Sequence, residues 1–163
     1  MASPAFPEPP PTQPATPISE LDAIVEALGQ ASTRWVETGL EDRISILRRC
    51  MSSLEGVSQD WAHVGARASG GEPGTAISGE ILLGGPVVTM RHIRLLADSL
   101  EAIAGGGEPQ VPGRSTRPDG QEVVQVFPTD WMDGVLFSGF KGEVWVQRGK
   151  PSTLGGLYRD KAE

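Results

Sequence analysis

Residues 76–104 read AISGEILLGGPVVTMRHIRLLADSLEAIA, and the reading of this stretch decides the fold. At about 3.6 residues per turn, Ile77, Ile81, Val88, Leu95, Leu96 and Ile103 fall on one side, with Arg94, Asp98 and Glu101 turned away. An apolar stripe of that length requires other elements laid against it. Gly84-Gly85-Pro86 interrupts it, because proline lacks the amide hydrogen and clashes with the preceding turn. Either the helix kinks at Pro86, or one helix ends near Leu83 and a second starts with Pro86 in its first turn. The two glycines favour the second arrangement.

Upstream, Ser19 is placed to cap a helix beginning at Glu20, with Leu21, Ile24, Val25 and Leu28 as its apolar side and Gly29 as its stop. Trp35 follows in a short connector. Thr38-Gly-Leu-Glu41 has capping-box spacing and opens a second helix. Its inward residues are Ile44, Leu47, Met51 and Leu54, and Asp42, Arg43, Arg48 and Arg49 point outward; Gly56 ends it. A third helix is predicted from Ser58 through Arg67, anchored by Trp61 and Val64. Ser69-Gly-Gly-Glu-Pro-Gly74 is a break.

Downstream, Gly105-Gly-Gly107 stops the helical region and a polar connector follows. The period then changes from about 3.6 to about 2. Glu122–Phe127, Val135–Phe140 and Glu143–Gln147 read as strands, with Lys141-Gly142 placed for a tight hairpin turn. The fold class expected is α+β: N-terminal helices followed by a small antiparallel strand region. Its parts are a disordered Pro-rich tail over 1–17, which holds seven prolines, a helical segment over 18–104, a linker over 105–120 and a strand region over 121–163.

Composition narrows the function. A net charge of −7 argues against a broad nucleic-acid or anionic-membrane surface, since both rely on clustered Lys and Arg. The single Cys50 cannot form an internal disulfide, which fits a reducing cytosol. No run of about 18 apolar residues is present, and the N-terminus has neither the basic nor the apolar region of a signal peptide. A cytoplasmic location is expected.

The groups that could carry chemistry each read as structural. Cys50 sits inside a predicted helix rather than at its N-terminus, and its neighbours Arg48 and Arg49 point to other faces; a buried or half-buried thiol is expected. His63 and His92 have neither a nucleophile nor an orienting partner at a suitable spacing, and no ligand pair accompanies them. His92 falls on the apolar side of its helix. Gly105–Gly107 fails G-x-G-x-x-G and follows a helix, while Gly149-Lys150 is followed by Pro151 rather than Ser or Thr. Arg94 and Asp98 form an i, i+4 pair on a solvated face. No catalytic, cofactor-binding or metal residue is assigned within the chain.

The strand region is the informative anomaly. Val123, Val124, Val126, Phe127, Trp131, Met132 and Val135 begin an apolar cluster that continues through Leu136, Phe137, Phe140, Val144, Trp145 and Val146. Alternation puts apolar groups on both faces, Val144 and Val146 on one and Trp145 on the other. Helices can cover one face; the second face and the strand edges call for another subunit or for further polypeptide.

In order and residues the chain resembles the N-terminal segment of the aldehyde dehydrogenase superfamily. Trp35, then Glu41-Asp-Arg-Ile-Ser-Ile-Leu-Arg-Arg49 with Leu54, look like that family's early Trp and its Glu-Arg…Leu helix. Gly71-Glu72-Pro73 looks like its Gly-Lys-Pro turn with Glu in place of Lys, and Glu80 and the helix through Leu100 match in place and character. The resemblance covers most of Ile18 to about Arg159. It implies an NAD(P)-dependent oxidoreductase of aldehydes, of which this chain is the leading part and is inactive alone. The family's catalytic cysteine and general-base glutamate have no counterpart here, and Cys50 does not match that cysteine. NAD or NADP is implied for the whole enzyme and no cofactor is expected for this chain. The implied partners are the rest of the enzyme or another subunit, in a homo-oligomer, since such strands help build the family's oligomerisation region. The alternative is a stand-alone interaction or oligomerisation module without catalysis.

Overall fold

The computed structural model of the protein describes residues 14–159. The tail expected to be disordered over 1–17 lies, up to residue 13, outside the described residues; 14–17 are exposed and without regular structure. The fold is α+β, helices followed by a small three-stranded antiparallel sheet. Two compact units divide between Ala97 and Asp98.

In the N-terminal unit, α1 runs Ile18–Glu37 and α2 runs Leu40–Ala68. Both are longer than the sequence signals imply. Gly29 does not stop α1, and Trp35 lies in its last turn rather than in a connector. Gly56 does not end α2, so the predicted third helix is its second half. A glycine in an exposed helix interior costs only about 1 kcal/mol, less than neighbouring turns recover. Ser19 and Thr38 are not caps: α1 starts after Pro17, α2 after Gly39, and the Thr38 hydroxyl donates to the Arg34 carbonyl at 3.2 Å. The joint between the helices is braced from α2. The Arg43 guanidinium donates to the carbonyls of Trp35 (2.6 Å) and Thr38 (2.9 Å) and lies 4.5 Å from the Trp35 ring.

Ile44, Leu54, Ala62 and Ala66 form the buried side of α2, with Leu47 and Met51 half-buried beside them. After the expected break at 69–74, α3 runs Ala76–Leu82. Close approach between α2 and α3 is permitted by small residues. A Cβ at Gly65 would lie 2.7 Å from Ile81 Cγ2, and one at Gly71 would lie 2.5 Å from Ile77 Cγ2.

The Gly84-Gly85-Pro86 interruption is neither a stop nor a restart. Leu83–Val87 forms a π-turn with Pro86 buried inside it, and α4, Val88–Ala104, continues from it. A π-turn inserts one residue into the helical repeat, so every later residue takes the angular place its predecessor would have held. On α4, Ala97, Leu100 and Ile103 are buried. Ile103 belongs to the stripe predicted on an unbroken period and Leu95 of that stripe is half-buried, whereas Val88 and Leu96 are exposed. Gly85 also leaves room for the Trp61 indole, whose ring atoms would lie 3.2–3.3 Å from a Cβ at that position. Both expected anchors are exposed, Trp61 at 43% and Val64 at 57%.

In the C-terminal unit the sheet order is β1-β2-β3. β1, Gly113–Thr116, falls inside the stretch expected to be linker. It is polar and exposed, so it carries no apolar alternation to read. β2 is Glu122–Phe127, as predicted, and β3 is Gly142–Trp145, which overlaps the predicted Glu143–Gln147 strand but starts one residue earlier and ends two residues earlier. Both pairings are antiparallel: Val124 sits opposite Arg114 on one side and Val144 on the other. The tight turn joins β1 to β2 through Pro118-Asp119-Gly120, where Gly120 has φ of +81° and its N–H donates to the Arg117 carbonyl at 2.9 Å. The hairpin turn expected at Lys141-Gly142 does not form, because Val135–Phe140 is not a strand. Trp131–Leu136 is helix α5, and α6, Gly156–Arg159, follows β3. Adjacent residues of a strand face opposite sides, and Val123 and Val124 are both buried, so the central strand is covered on both faces.

Candidate functional site

In the C-terminal unit, α5 and the residues after it carry exposed apolar side chains. Trp131, Met132, Val135, Leu136 and Phe140 are all exposed, Trp131 at 76%. Val135–Phe140 was expected to be a strand, but the segment begins with a helix cap at Asp130. The Asp130 carboxylate accepts from the Asp133 N–H at 2.9 Å. The buried Asp133 carboxylate reaches back, accepting from the Thr129 N–H at 2.9 Å and from the Thr129 hydroxyl. This reciprocal arrangement has capping-box spacing, Asp-x-x-Asp with Asp in the place of Glu, and that was the signal available in the sequence. With the cap in place, Trp131 and Val135, and Met132 and Leu136, stand i, i+4 on one short helix. Phe137 packs edge-on against Phe127 of β2 at 5.5 Å, which ties the end of α5 to the sheet.

Asp133→Ala is expected to remove two hydrogen bonds from a buried site and to destabilise this segment by about 2 kcal/mol. Faster amide exchange at Asp133 and Gly134, with β2 protection retained, is the result to look for.

β3 lies at the edge of the sheet, with Val144 and Trp145 half in solvent. Arg117 stacks on Trp145 at 4.1 Å, and Arg148 pairs with Asp119 at 2.6 Å across the β1–β2 turn. The Arg148–Asp119 pair is a surface contact that positions side chains and contributes at most about 1 kcal/mol. The segment after β3 is held by Glu122, whose carboxylate accepts from the Ser152 hydroxyl at 2.7 Å and from its N–H at 2.9 Å. Those bonds, the hydroxyl first, hold the Glu122 carboxyl below its ordinary value against a small opposing effect of burial; Arg114 adds to the lowering.

The sign follows from linkage. A depressed folded-state pKa gives stability that is present above the unfolded value and lost as pH falls through the folded one. The Ser152 amide resonance is therefore expected to titrate with a midpoint below the ordinary glutamate range, and Glu122→Gln is expected to abolish that step.

In the N-terminal unit an apolar cleft of about 250 Å³ is lined by Leu54, Leu82, Pro86, Val87 and Met90, with Glu55 and Ser58 among its walls. It holds no convergent set of polar groups. The other groups weighed in the sequence are scattered. Cys50 is exposed on α2, not buried or half-buried, because it stands more than a third of a turn off the face that carries Ile44, Ala62 and Ala66. His63 is half-buried on α2; His92 is exposed on α4, turned out by the π-turn shift rather than lying on the apolar side. Arg94 is half-buried and Asp98 is exposed. Gly105–Gly107 and Gly149-Lys150 lie in turns, as expected of loops. Among the described residues no group of three or more His, Cys, Asp or Glu side chains could hold a metal ion, and no helix is long and apolar enough to cross a membrane. No family model, curated protein or solved structure matches the chain.

Proposed function

We propose that this chain is the leading scaffold of an NAD(P)-dependent aldehyde dehydrogenase-like oxidoreductase and carries no catalysis by itself. The single observation behind it is the apolar surface of Trp131, Met132, Val135, Leu136 and Phe140, all exposed among the described residues. Burying one such side chain is worth roughly 1.5–3 kcal/mol, so several left in water favour a role in which further polypeptide covers them. The residue resemblance at Trp35, Glu41–Arg49 and Gly71–Pro73 supplies the identity of that polypeptide, a dinucleotide-binding and catalytic portion. In this reading α5 and the edge strand β3 belong to the region through which such enzymes assemble, in the cytoplasm.

Titration of the purified 163-residue chain with NADH and NADPH, followed by an aldehyde oxidation assay, tests the proposal. No saturable binding and no turnover are expected, with binding and turnover appearing when a catalytic portion encoded downstream is joined to the chain. Turnover by the chain alone would overturn it. A stand-alone interaction module is the second reading, and a different observation favours it: the uncovered face of α1.

A further inference from the structure

α1 contributes no buried residue to the fold, although it is twenty residues long and has one apolar side. Leu21, Ile24, Val25, Leu28 and Trp35 recur at helical spacing along it and all are exposed, Leu28 at 65%. The stripe from Leu21 to Trp35 therefore presents about 21 Å of helix to solvent. The residues beside the stripe say what fits it. One flank is formed by Glu20, Ala27 and Arg34, seven apart in sequence and so in line along the axis. This flank is acid at one end, small in the middle and basic at the other. The remaining acids, Asp22, Glu26 and Glu37, lie on the side away from the stripe.

We propose that α1 pairs antiparallel with α1 of a second copy of this chain. In an antiparallel helix pair the flank of one helix runs beside the same flank of its partner in reverse. Glu20 of each copy then meets Arg34 of the other, twice by symmetry, and Ala27 meets Ala27 at the two-fold axis, where small side chains let the helices close. The parallel arrangement sets the acidic ends side by side and gains neither pair. Trp35 enters this contact from a fixed position, because the Arg43 guanidinium already covers part of its ring at 4.5 Å. The proposal rests on α1 alone and is independent of the dehydrogenase reading, which the cofactor titration addresses.

Sedimentation equilibrium of the full chain at micromolar concentrations tests it. A dimer is expected. Leu28→Asp is expected to weaken it about a hundredfold or more, since the charge is placed at the centre of the apolar contact. Glu20→Arg and Arg34→Glu are each expected to weaken it about five- to tenfold, and the double exchange to restore it. Leu28 lies outside the folded core, so an unchanged far-UV circular dichroism spectrum is expected to accompany its loss of assembly. In a Cys50→Ser background, Ala27→Cys is expected to cross-link copies on oxidation, and Ser19→Cys is not. A monomer at every concentration, a dimer indifferent to Leu28→Asp, or failure of the double exchange to restore assembly would each overturn the proposal.

Discussion

Leu100→Ala is expected to destabilise the C-terminal unit by about 3 kcal/mol, within the range of roughly 2–5 kcal/mol seen when a buried leucine is truncated and the site cannot collapse. Leu100 is 3% exposed, and its large buried companions in that unit are Ile103, Val123 and Val124. A core built from so few side chains has little to move into the space that is left. Helix α4 is stiff, and Val123 and Val124 are fixed by the ladders on both sides of β2. For a small unit of marginal stability a loss of this size leaves a large unfolded population. Amide exchange at Val123 and Val124 would read it directly, with protection falling about a hundredfold. Undiminished protection would mean that the sheet stands without α4.

The second large effect is expected at Gly65→Val. On helix propensity alone, replacing an interior glycine should help or be neutral. The packing reverses the sign. The new Cβ would arrive 2.7 Å from Ile81 Cγ2, a branch held on a stiff Cβ rather than the free end of a flexible chain. The α2–α3 contact must open, and overpacking of this kind costs about 1–3 kcal/mol, with the added methyl groups placing valine at the upper end. A thermal melt should show a lower midpoint for Gly65→Val. The double variant Gly65→Val with Ile81→Ala should recover part of the loss, which identifies the clash as the cause.

Where the sequence carried local periodicity, the fold was legible. The inward residues of α2 through Leu54, the break at 69–74, and the strands at 122–127 and near 143–147 follow from spacing alone. The departures have specific physical origins. Gly29 and Gly56 look like stops, but a helix under way tolerates a glycine when its next turn is favourable. Val135–Phe140 has the composition of a strand, yet the cap made by Asp130 and Asp133 commits the chain to a helix before that composition acts. β1 is invisible because its residues, Gly-Arg-Ser-Thr, face solvent and owe their extended form to β2. The apolar surface was legible as an excess of large side chains. Its shape was not, since that depends on which of them are helical. The exposure of α1 could not be read at all: an amphipathic pattern announces a stripe and says nothing of whether the same chain covers it.

The π-turn at Leu83–Val87 has a consequence for how this chain tolerates length changes. Removing one residue there, Gly84 for example, would convert the wide turn to an ordinary one and leave each later residue of α4 in the angular place it now holds. Ala97 would keep its buried place, and Leu96 and His92 would stay exposed. The turn thus holds one residue of slack between two lengths of helix. A single deletion at Gly84 or Gly85 is taken up there, whereas one further along α4 would screw the residues beyond it round by about 100°.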